Sequence, residues 1–507
     1  MPAQPIPRPE TVIPVRLGDL TGVVDGTAPA GDTAVTGVTH DSRDVRPGDL
    51  YAALPGSVRH GAEFASTAAA AGAVAVLTDP AGRAEAEAAG LPVLVAGRPR
   101  ELLGAVSARV YGDPTRRLAV VGITGTSGKT TTAYLVESGL RAAGHRTGML
   151  GTVETRVGDE RIPSTRTTPE ATALQALFAV MAERGVTAVA MEVSSHALAL
   201  GRVTGTRFAT AAFTNFGSDH LDFHADEAEY FGAKASFFDG RAAAEVLHVD
   251  DPAVADLARR RPAPITVSTR RLGAGAAWSA TDIRADGAGQ LFTVCGPGGL
   301  RLPGRVQLAG RFNVDNALVA IASLVATGVD PEVAVRGVAE CAGVPGRLER
   351  VTPPAAPVLG VVDYAHKPDA VAAVLTALRP ATRGRLICVL GCGGDRDTGK
   401  RPRMGQAAAQ GADVLVVTDD NPRSEDPARI RAAMLAGANA VPAGERAEVV
   451  EIGDRAEAIA WAAKAAEPGD TVAVLGKGHE PYQEVAGTVL AFDDREVLAV
   501  ALREVYA

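Results

Sequence analysis

A glycine-rich segment with one lysine and several threonines is the part of the sequence best suited to bind phosphate. Residues 122–130 read Gly-Ile-Thr-Gly-Thr-Ser-Gly-Lys-Thr and continue an apolar run from Leu118 that predicts a strand. Backbone N–H groups at a helix N-terminus can bind phosphates, Lys129 can reach the β and γ positions, and Thr130 can offer its hydroxyl to Mg²⁺. The spacing departs from G-x-x-x-x-G-K-T because Ile123 stands five positions before Gly128. A structural glycine turn is the alternative, but strand, turn, lysine and threonine together favour a nucleotide-binding loop.

Two further motifs carry side chains that can ligate a cation. Glu192 lies in residues 191–198 (Met-Glu-Val-Ser-Ser-His-Ala-Leu), and His220 lies in residues 214–224 (Thr-Asn-Phe-Gly-Ser-Asp-His-Leu-Asp-Phe-His). Each follows an apolar run, and ligand sites of parallel sheets collect at the ends of strands. Mg²⁺ prefers oxygen ligands, but a histidine can complete a site that has few protein ligands. Taken singly, Glu192 could instead be a helix cap and His220 a hydrogen-bonded core histidine.

The use of lysine in this chain is also informative. Only six lysines stand beside 45 arginines, which indicates that arginine serves wherever a general cation is enough. A site that needs a compact or modifiable amine cannot use arginine instead. Lys464 lies in an alanine-rich helical stretch and needs no special role, whereas the other five lysines fall inside motifs. Lys234, within Phe-Gly-Ala-Lys-Ala-Ser-Phe, would on its own be interpreted as a solvated helix lysine.

The elements that position these residues form three blocks of alternating strands and helices. They predict an α/β protein of three domains: a small N-terminal α/β domain (residues 1–115), a central P-loop domain with a mainly parallel sheet (116–347) and a C-terminal Rossmann-like α/β domain (348–507). Each strand of the third block is expected to lead through a turn into a helix. The predicted strands are 36–40, 50–54, 73–77, 91–95, 118–124, 186–191, 209–214, 358–363, 386–390, 414–418 and 472–475.

Length and composition narrow the class of protein. The chain has 507 residues, too many for a small binding module, and its net charge of −8 argues against a nucleic-acid coat or a basic membrane anchor. A hydrophobic content of 46% with 22% charged residues is typical of globular domains. Four cysteines cannot form a disulfide framework in a chain of this length, so we expect a reducing cytoplasm. We also expect no secretory leader and no membrane insertion.

Ten motifs, in chain order, resemble those of the Mur ligases, and the resemblance covers nearly the whole chain. The last three are specific within that family. The motifs are the loop at 122–132, Thr167-Thr168-Pro169, residues 192–198, residues 214–224, Lys234, Gly-Arg-Phe-Asn-Val-Asp-Asn at 310–316, Asp-Tyr-Ala-His-Lys-Pro at 363–368, Gly-Cys-Gly-Gly-Asp-Arg-Asp-Thr-Gly-Lys-Arg-Pro at 391–402, Asp-Asn-Pro-Arg at 420–423 and Gly-Lys-Gly-His-Glu at 476–480.

The resemblance implies a role for each matching position. It implies that the N-terminal domain binds uridine diphosphate and that Lys129, Lys234 and His220 have catalytic roles. The implied ATP contacts are Gly125, Thr126, Ser127, Gly128, Lys129, Thr130, Thr131, Asn313, Asn316, Arg347, Asp363 and His366. The implied contacts to the UDP-sugar peptide are Ser42, Thr167, Thr168, Ser194 and Arg202. The implied metal ligands are Thr130, Glu192, His220 and Lys234 as a carbamate, and the implied amino-acid contacts are Arg396, Asp420, Asn421, Pro422, Arg423, Gly476 and Glu480.

The implied reaction is the ATP-dependent ligation of meso-diaminopimelate to UDP-N-acetylmuramoyl-L-alanyl-D-glutamate by a monomeric enzyme, through an acyl phosphate, with Mg²⁺ and a CO₂-derived carbamate on Lys234. A planar arginine fork is the side chain best shaped for the distal carboxylate of diaminopimelate, and Arg423 supplies one. An Asn-Pro turn with a solvated arginine is the alternative for residues 420–423. The rival functions are a lysine-adding ligase, a folylpolyglutamate synthetase-like ligase and a P-loop switch or motor.

Overall fold

The computed structural model describes residues 6–24, 32–162, 164, 166–270, 275–354 and 356–506. The chain forms two compact units. The first comprises Met1–Ser279, Gly296–Leu300 and Asn316–Val338, and the second comprises Ala280–Cys295, Arg301–Asp315 and Ala339–Ala507. Among the helices of the described residues, none is long and apolar enough to cross a membrane.

The first unit begins with a small α/β region. Strand β1 (Val15–Arg16) pairs antiparallel with β2 (Ala34–Val35). A parallel four-stranded sheet follows, and Leu50, Leu77 and Leu94 from its strands pack with Val106 in one buried cluster. Its elements are β3 (Gly37–Thr39), β4 (Asp49–Ala53), α1 (Ala65–Ala70), β5 (Ala75–Thr78), α2 (Arg83–Ala88), β6 (Val93–Val95) and α3 (Pro99–Val110).

A larger sheet fills the rest of the first unit. Strands β7, β8 and β11–β14 are parallel, and β9 and β10 add an antiparallel edge; the order is β10-β9-β8-β11-β7-β12-β13-β14. Its elements are β7 (Ala119–Thr124), α4 (Lys129–Ala142), β8 (Thr147–Leu150), β9 (Thr155–Val157), β10 (Glu160–Ile162), α5 (Ala171–Glu183), β11 (Ala188–Glu192), α6 (Ser195–Ala199), β12 (Phe208–Phe213), α7 (Glu227–Ala235), β13 (Ala242–His248), α8 (Pro252–Arg259) and β14 (Ile265–Ser268). Every residue of β11 is buried, as its continuous apolar run predicts for a central parallel strand.

The second unit contains a six-stranded sheet of order β18-β19-β23-β20-β21-β22, parallel except for β18. Before it in the chain come β15 (Trp278–Asp286), β16 (Gly289–Gly296), β17 (Leu300–Val306), α9 (Arg311–Ala326) and α10 (Pro331–Ala339), of which residues 316–338 belong to the first unit. The sheet and its helices are β18 (Glu349–Arg350), β19 (Leu359–Asp363), α11 (Pro368–Leu378), β20 (Leu386–Leu390), α12 (Lys400–Gly411), β21 (Val414–Val417), α13 (Pro427–Asn439), β22 (Glu448–Glu451), α14 (Arg455–Ala465), β23 (Thr471–Leu475), β24 (Tyr482–Val485), β25 (Thr488–Ala491) and α15 (Asp494–Tyr506).

The predicted α/β class is confirmed, and so is each predicted strand to within about three residues at its ends. One expectation about the third block is wrong: β23 does not lead directly into a helix, because the antiparallel hairpin β24–β25 comes before α15. The pair Ala486-Gly487, both with positive φ, closes this hairpin. The domain boundaries after residues 115 and 347 stay predictions.

Candidate active site

The glycine-rich loop joins β7 to α4, as the sequence predicts. Gly125 and Gly128 adopt φ angles of 144° and 83°, which side chains rarely tolerate, and a Cβ at Gly128 would collide with the side chain of Asn316. Asn215 fixes the loop, because its Oδ1 accepts from Ser127 N (3.0 Å) and its Nδ2 donates to Ser127 O (3.0 Å). The loop is therefore held in one shape before α4, whose first N–H groups can face an anion.

Two lysines meet at the carbonyl of Gly125. Lys129 Nζ donates to Gly125 O at 2.8 Å, and Lys234 Nζ, from α7, donates to the same oxygen at 2.8 Å. Lys234 is 1% exposed, and its Nζ lies 4.5 Å from the ring centroid of Tyr230. The interpretation of Lys234 as a solvated helix lysine is therefore wrong. The structure brings the two predicted catalytic lysines to one point on the loop.

The carboxylate of Glu192 lies at the end of β11 and is 1% exposed. Thr130 Oγ1 donates to it, 3.0 Å from each carboxylate oxygen. Thr152 donates twice, from N to Oε1 (2.8 Å) and from Oγ1 to Oε2 (3.1 Å). Glu192 is not a helix cap: Ser194 caps α6, with Oγ accepting from Ala197 N. A hydroxyl and a buried carboxylate from two predicted metal positions thus lie in direct contact.

Four of the five predicted contacts to the nucleotide-sugar peptide lie close to Glu192 in a chain of hydrogen bonds and an ion pair. Thr168 Oγ1 donates to the backbone carbonyl of Glu192 (2.9 Å) and accepts from Ser194 N (3.1 Å), while Thr167 Oγ1 lies 3.0 Å from Thr152 Oγ1. Arg202 pairs with Glu170 at 2.7 Å and donates to Thr168 O at 3.3 Å.

Ser42 lies elsewhere, after β3 of the N-terminal sheet.

His220 has an unusual backbone conformation, and its side chain is not buried in the core. Its φ is 52°, an unusual value for a non-glycine residue, and its side chain is 40% exposed. Its ring stacks edge-on against His196 (centroids 4.8 Å apart) and lies 5.9 Å from the ring of Tyr230. The alternative of a core histidine is wrong, and the position suits a group that contacts a ligand.

Four predicted ATP contacts lie in the second unit. Asp363, at the end of β19, accepts from Leu348 N and Ala365 N (2.7 Å each), and burial raises the pKa of its carboxyl. Arg347 lies over the ring of Tyr364, with Cζ 4.4 Å from the centroid. Burial lowers the pKa of His366 to about 4, so its ring is neutral at physiological pH. Asn313, in α9, is 3% exposed and donates to Ala309 O (2.7 Å); Asn316 of the same helix lies in the first unit.

The predicted amino-acid contacts follow three neighbouring parallel strands, β20, β21 and β23, whose carboxyl ends share one edge of the sheet. Arg423 (φ 52°) donates through Nη1 to Gly394 O (2.7 Å) and is not the solvated arginine of the alternative interpretation. Asn421 Nδ2 donates to Glu480 Oε2 (2.9 Å), and a Cβ at Gly476 would lie 2.7 Å from an oxygen of Asp420. Pro422 is buried between Asn421 and Arg423, whereas Arg396 lies exposed on the loop after β20.

Sequence reasoning missed three residues of these groups. Thr152 binds Glu192 as described, Tyr230 donates to or accepts from Thr126 Oγ1 (3.1 Å), and Lys477 contacts Asn421 and Glu480. A signal existed for each. Thr152 follows a strand, Tyr230 precedes Lys234 by one helical turn, and Lys477 is one of the six lysines.

Comparisons with known proteins agree with this arrangement. Three domain profiles match the chain: Mur ligase family, catalytic domain (residues 34–111), Mur ligase middle domain (123–324) and Mur ligase, glutamate ligase domain (346–478). The UDP-N-acetylmuramoyl-L-alanyl-D-glutamate–2,6-diaminopimelate ligase of Streptomyces coelicolor is 56% identical over 98% of both chains, and that of Corynebacterium glutamicum is 50% identical over 96% of this chain and 97% of its own. A solved structure of a ligase of the same name is 31% identical, with a TM-score of 0.70 over 97% of this chain and 99% of that one. The chain therefore belongs to the Mur ligase family and, within it, to the MurE type.

Proposed function

We propose that this enzyme adds meso-diaminopimelate to UDP-N-acetylmuramoyl-L-alanyl-D-glutamate with ATP as co-substrate, in the synthesis of peptidoglycan precursors. The observation that carries the proposal is the contact between Thr130 of the phosphate loop and the buried carboxylate of Glu192, with Thr167 and Thr168 beside it. This contact joins a nucleotide-phosphate site to the residues proposed to hold the carboxyl substrate.

The first chemical step is phosphoryl transfer from ATP to the side-chain carboxylate of D-glutamate, which gives ADP and an acyl phosphate. The amine of the incoming amino acid then attacks the acyl carbon, loses a proton and expels phosphate. Phosphoryl transfer depends on positioning and charge neutralisation. Lys129 supplies a positive charge at the loop, and the backbone N–H groups in the first turn of α4 supply hydrogen-bond donors.

The residues around Glu192 fit a magnesium ion. A threonine hydroxyl and a carboxylate are hard oxygen donors, and Mg²⁺ in phosphate-transfer sites uses few protein ligands together with substrate phosphates. Thr130, Glu192 and His220 would hold the ion. When bound, it would neutralise negative charge on the phosphates.

Lys234 is proposed to carry a carbamate formed from CO₂. An amine can form this adduct and an arginine cannot, which agrees with a buried lysine in a chain that otherwise prefers arginine. The modification replaces a cation with an anionic oxygen ligand. Formation needs the uncharged amine, one CO₂ and the loss of one proton.

At the amino-acid end, Arg423 is proposed to bind the distal carboxylate of diaminopimelate, and Glu480 to bind an ammonium group. The same face carries Asp420, Asn421 and Gly476. Lysine, the substrate of a lysine-adding ligase, lacks the distal carboxylate that Arg423 is proposed to bind. A folylpolyglutamate synthetase-like function is disfavoured by the Asp-Asn-Pro-Arg and Gly-Lys-Gly-His-Glu motifs and by the uridine-type N-terminal region. We further propose that the enzyme acts as a monomer in the cytoplasm.

A phosphate-release assay tests the function. Release should require both the UDP-sugar dipeptide and an amino acid, and diaminopimelate should be used in preference to lysine. Lys129→Ala should abolish ligation and leave UDP-sugar dipeptide binding intact, while Lys464→Ala, on exposed α14 surface, should match wild type. ATP turnover without an amino acid would instead indicate a P-loop switch or motor.

A further inference from the structure

Lys477 is a buried lysine to which the proposed function gives no role. It is 0% exposed and lies in the turn after β23, between Gly476 and Gly478. Both glycines have left-handed backbones, with φ angles of 115° and 57°, and a Cβ at Gly478 would lie 2.7 Å from Cβ of Tyr364. The turn is therefore built from residues that let the chain pack closely around one long side chain.

The ammonium group of Lys477 has three acceptors for its three protons. Nζ lies 3.1 Å from Asn421 Oδ1, 2.5 Å from Tyr482 O and 3.4 Å from Glu480 Oε2. These acceptors come from the segment after β21, from β24 and from the turn itself. A buried ammonium is stable only when its protons are bonded and its charge is balanced, and Glu480 provides the balancing charge.

Contact with Lys477 fixes which way the amide of Asn421 points. Asn421 Oδ1 accepts from Lys477 Nζ and from Glu484 N (3.0 Å), so the oxygen must face these two donors. A flipped amide would place its NH₂ group against an ammonium and an N–H. Asn421 Nδ2 is consequently left to donate to Glu480 Oε2, at 2.9 Å.

Glu480 depends on the same lysine for its charge. Burial raises the pKa of its carboxyl, and the nearby charge of Asp420 acts in the same direction, whereas Lys477 and Asn421 oppose the shift. The other groups facing it do not titrate near neutrality: Arg455 is paired with Asp494, and burial raises the pKa values of Tyr364 and Tyr482. An ionised Glu480 is the form that can bind an ammonium group.

We propose that Lys477 is a positioning residue for amino-acid selection: it holds Asn421 and Glu480 in the orientation in which they bind the incoming diamino acid. This inference rests on the proposed function. The compact amine suits the place, since it reaches three acceptors spread around one atom, and a planar guanidinium would not. The preference of the chain for arginine elsewhere makes a lysine at this buried position informative.

Lys477→Met tests the inference, because it removes the charge and keeps a side chain of similar length. The KM for diaminopimelate should rise roughly 10- to 100-fold, the range expected for loss of charge-assisted hydrogen bonds. The KM values for ATP and for the UDP-sugar dipeptide should stay within about twofold of wild type. The KM of Lys477→Met for diaminopimelate, divided by that of wild type, should be larger at pH 6.5 than at pH 8.5. The reason is that Glu480 is protonated more readily when Lys477 is absent. Lys464→Met, the same substitution at an exposed site, is the matched control and should change none of these values.

A second variant covers the case in which Lys477→Met does not fold. Lys477→Arg keeps the charge, but its planar guanidinium cannot reach all three acceptors, so it too should raise the KM for diaminopimelate and leave the KM for ATP unchanged. Equal losses for all three substrates, or an unchanged KM for diaminopimelate in both variants, would overturn the inference. If wild type itself fails to use diaminopimelate, the proposed function fails instead.

Discussion

Gly151 is predicted to be essential because of its distance from the carboxylate of Glu192. A Cβ at this position would lie 2.5 Å from Glu192 Oε1, whereas ordinary contacts begin at 3.4 Å. In Gly151→Ala the two groups must separate by about 0.9 Å. Either the carboxylate moves or the loop that carries Thr152 moves, and both responses break the hydrogen bonds from Thr152.

The size of the effect follows from this displacement. Misplacing a reacting or metal-binding group by 1 Å costs roughly 100-fold in rate, or about 2.7 kcal/mol in activation free energy. We expect kcat of Gly151→Ala to fall by about that factor. The concentration of Mg²⁺ needed for half-maximal rate should also rise, since Glu192 is a proposed ligand. Crowding itself should lower the free energy of unfolding by about 1–3 kcal/mol.

Initial rates of phosphate release, measured across a magnesium titration, together with a thermal melt test this prediction. Gly97→Ala is the control in the same unit, because nothing lies within 4 Å of its Cβ position. Thr152→Ser should keep the hydroxyl donor and most activity, and Thr152→Val should lose activity because it removes that donor. A Gly151→Ala enzyme with wild-type kcat and magnesium dependence would refute the reasoning.

Three further predictions concern single side chains. With ¹³C-bicarbonate, wild type should show a carbamate resonance that is absent from Lys234→Ala; an active wild type without that resonance would contradict the carbamate. Arg423→Ala should lower kcat/KM for diaminopimelate about 10- to 150-fold, from 1.5–3 kcal/mol for a charge-assisted contact, and change the use of lysine much less; equal losses would count against the specificity. Since burial lowers the pKa of His366 to about 4, the unfolded chain binds its proton first as pH falls, and His366 should by itself lower the free energy of unfolding by about 2 kcal/mol between pH 7.5 and 5. Burial also lowers the pKa of His479 to about 4, so in urea unfolding His366→Gln should reduce the acid-induced drop by about 2 kcal/mol without abolishing it, whereas His145→Gln should not reduce it. The same acid sensitivity in His366→Gln as in wild type would contradict the prediction.

The parts of the fold that the sequence predicts are those governed by local pattern. Strand β20 begins and ends where its apolar run does, and the glycine-rich loop lies between a strand and a helix as its residues require. The hairpin β24–β25 was missed for two reasons: β24 (Tyr-Gln-Glu-Val) lacks an apolar run, and the short apolar run of β25 (Val-Leu-Ala) is exposed, unlike that of a buried strand.

The sequence indicates many residues of the candidate site but not Thr152, Tyr230 or Lys477, and it does not indicate the contacts. Glu192 and His220 are identified by their positions at strand ends, yet the sequence left a helix cap and a core histidine open. Those alternatives are decided by long-range contacts, such as that of Glu192 with Thr152, 40 residues earlier in the chain. Burial of Lys234 is decided in the same way, by its contact with the loop 109 residues before it.

The contacts of Glu192 and Lys477 follow one physical rule. An ionised group buried at a strand end is stable only if every lone pair or proton has a partner, and each charge here is bound from two or three separate segments. Such a group cannot move without breaking several bonds together, so its orientation is fixed before substrate arrives. Fixed charges of this kind stabilise a transition state without reorganising during the reaction. Hence the neutral partners, Thr152 and Asn421, should affect ligation as strongly through orientation as the charged residues do through charge.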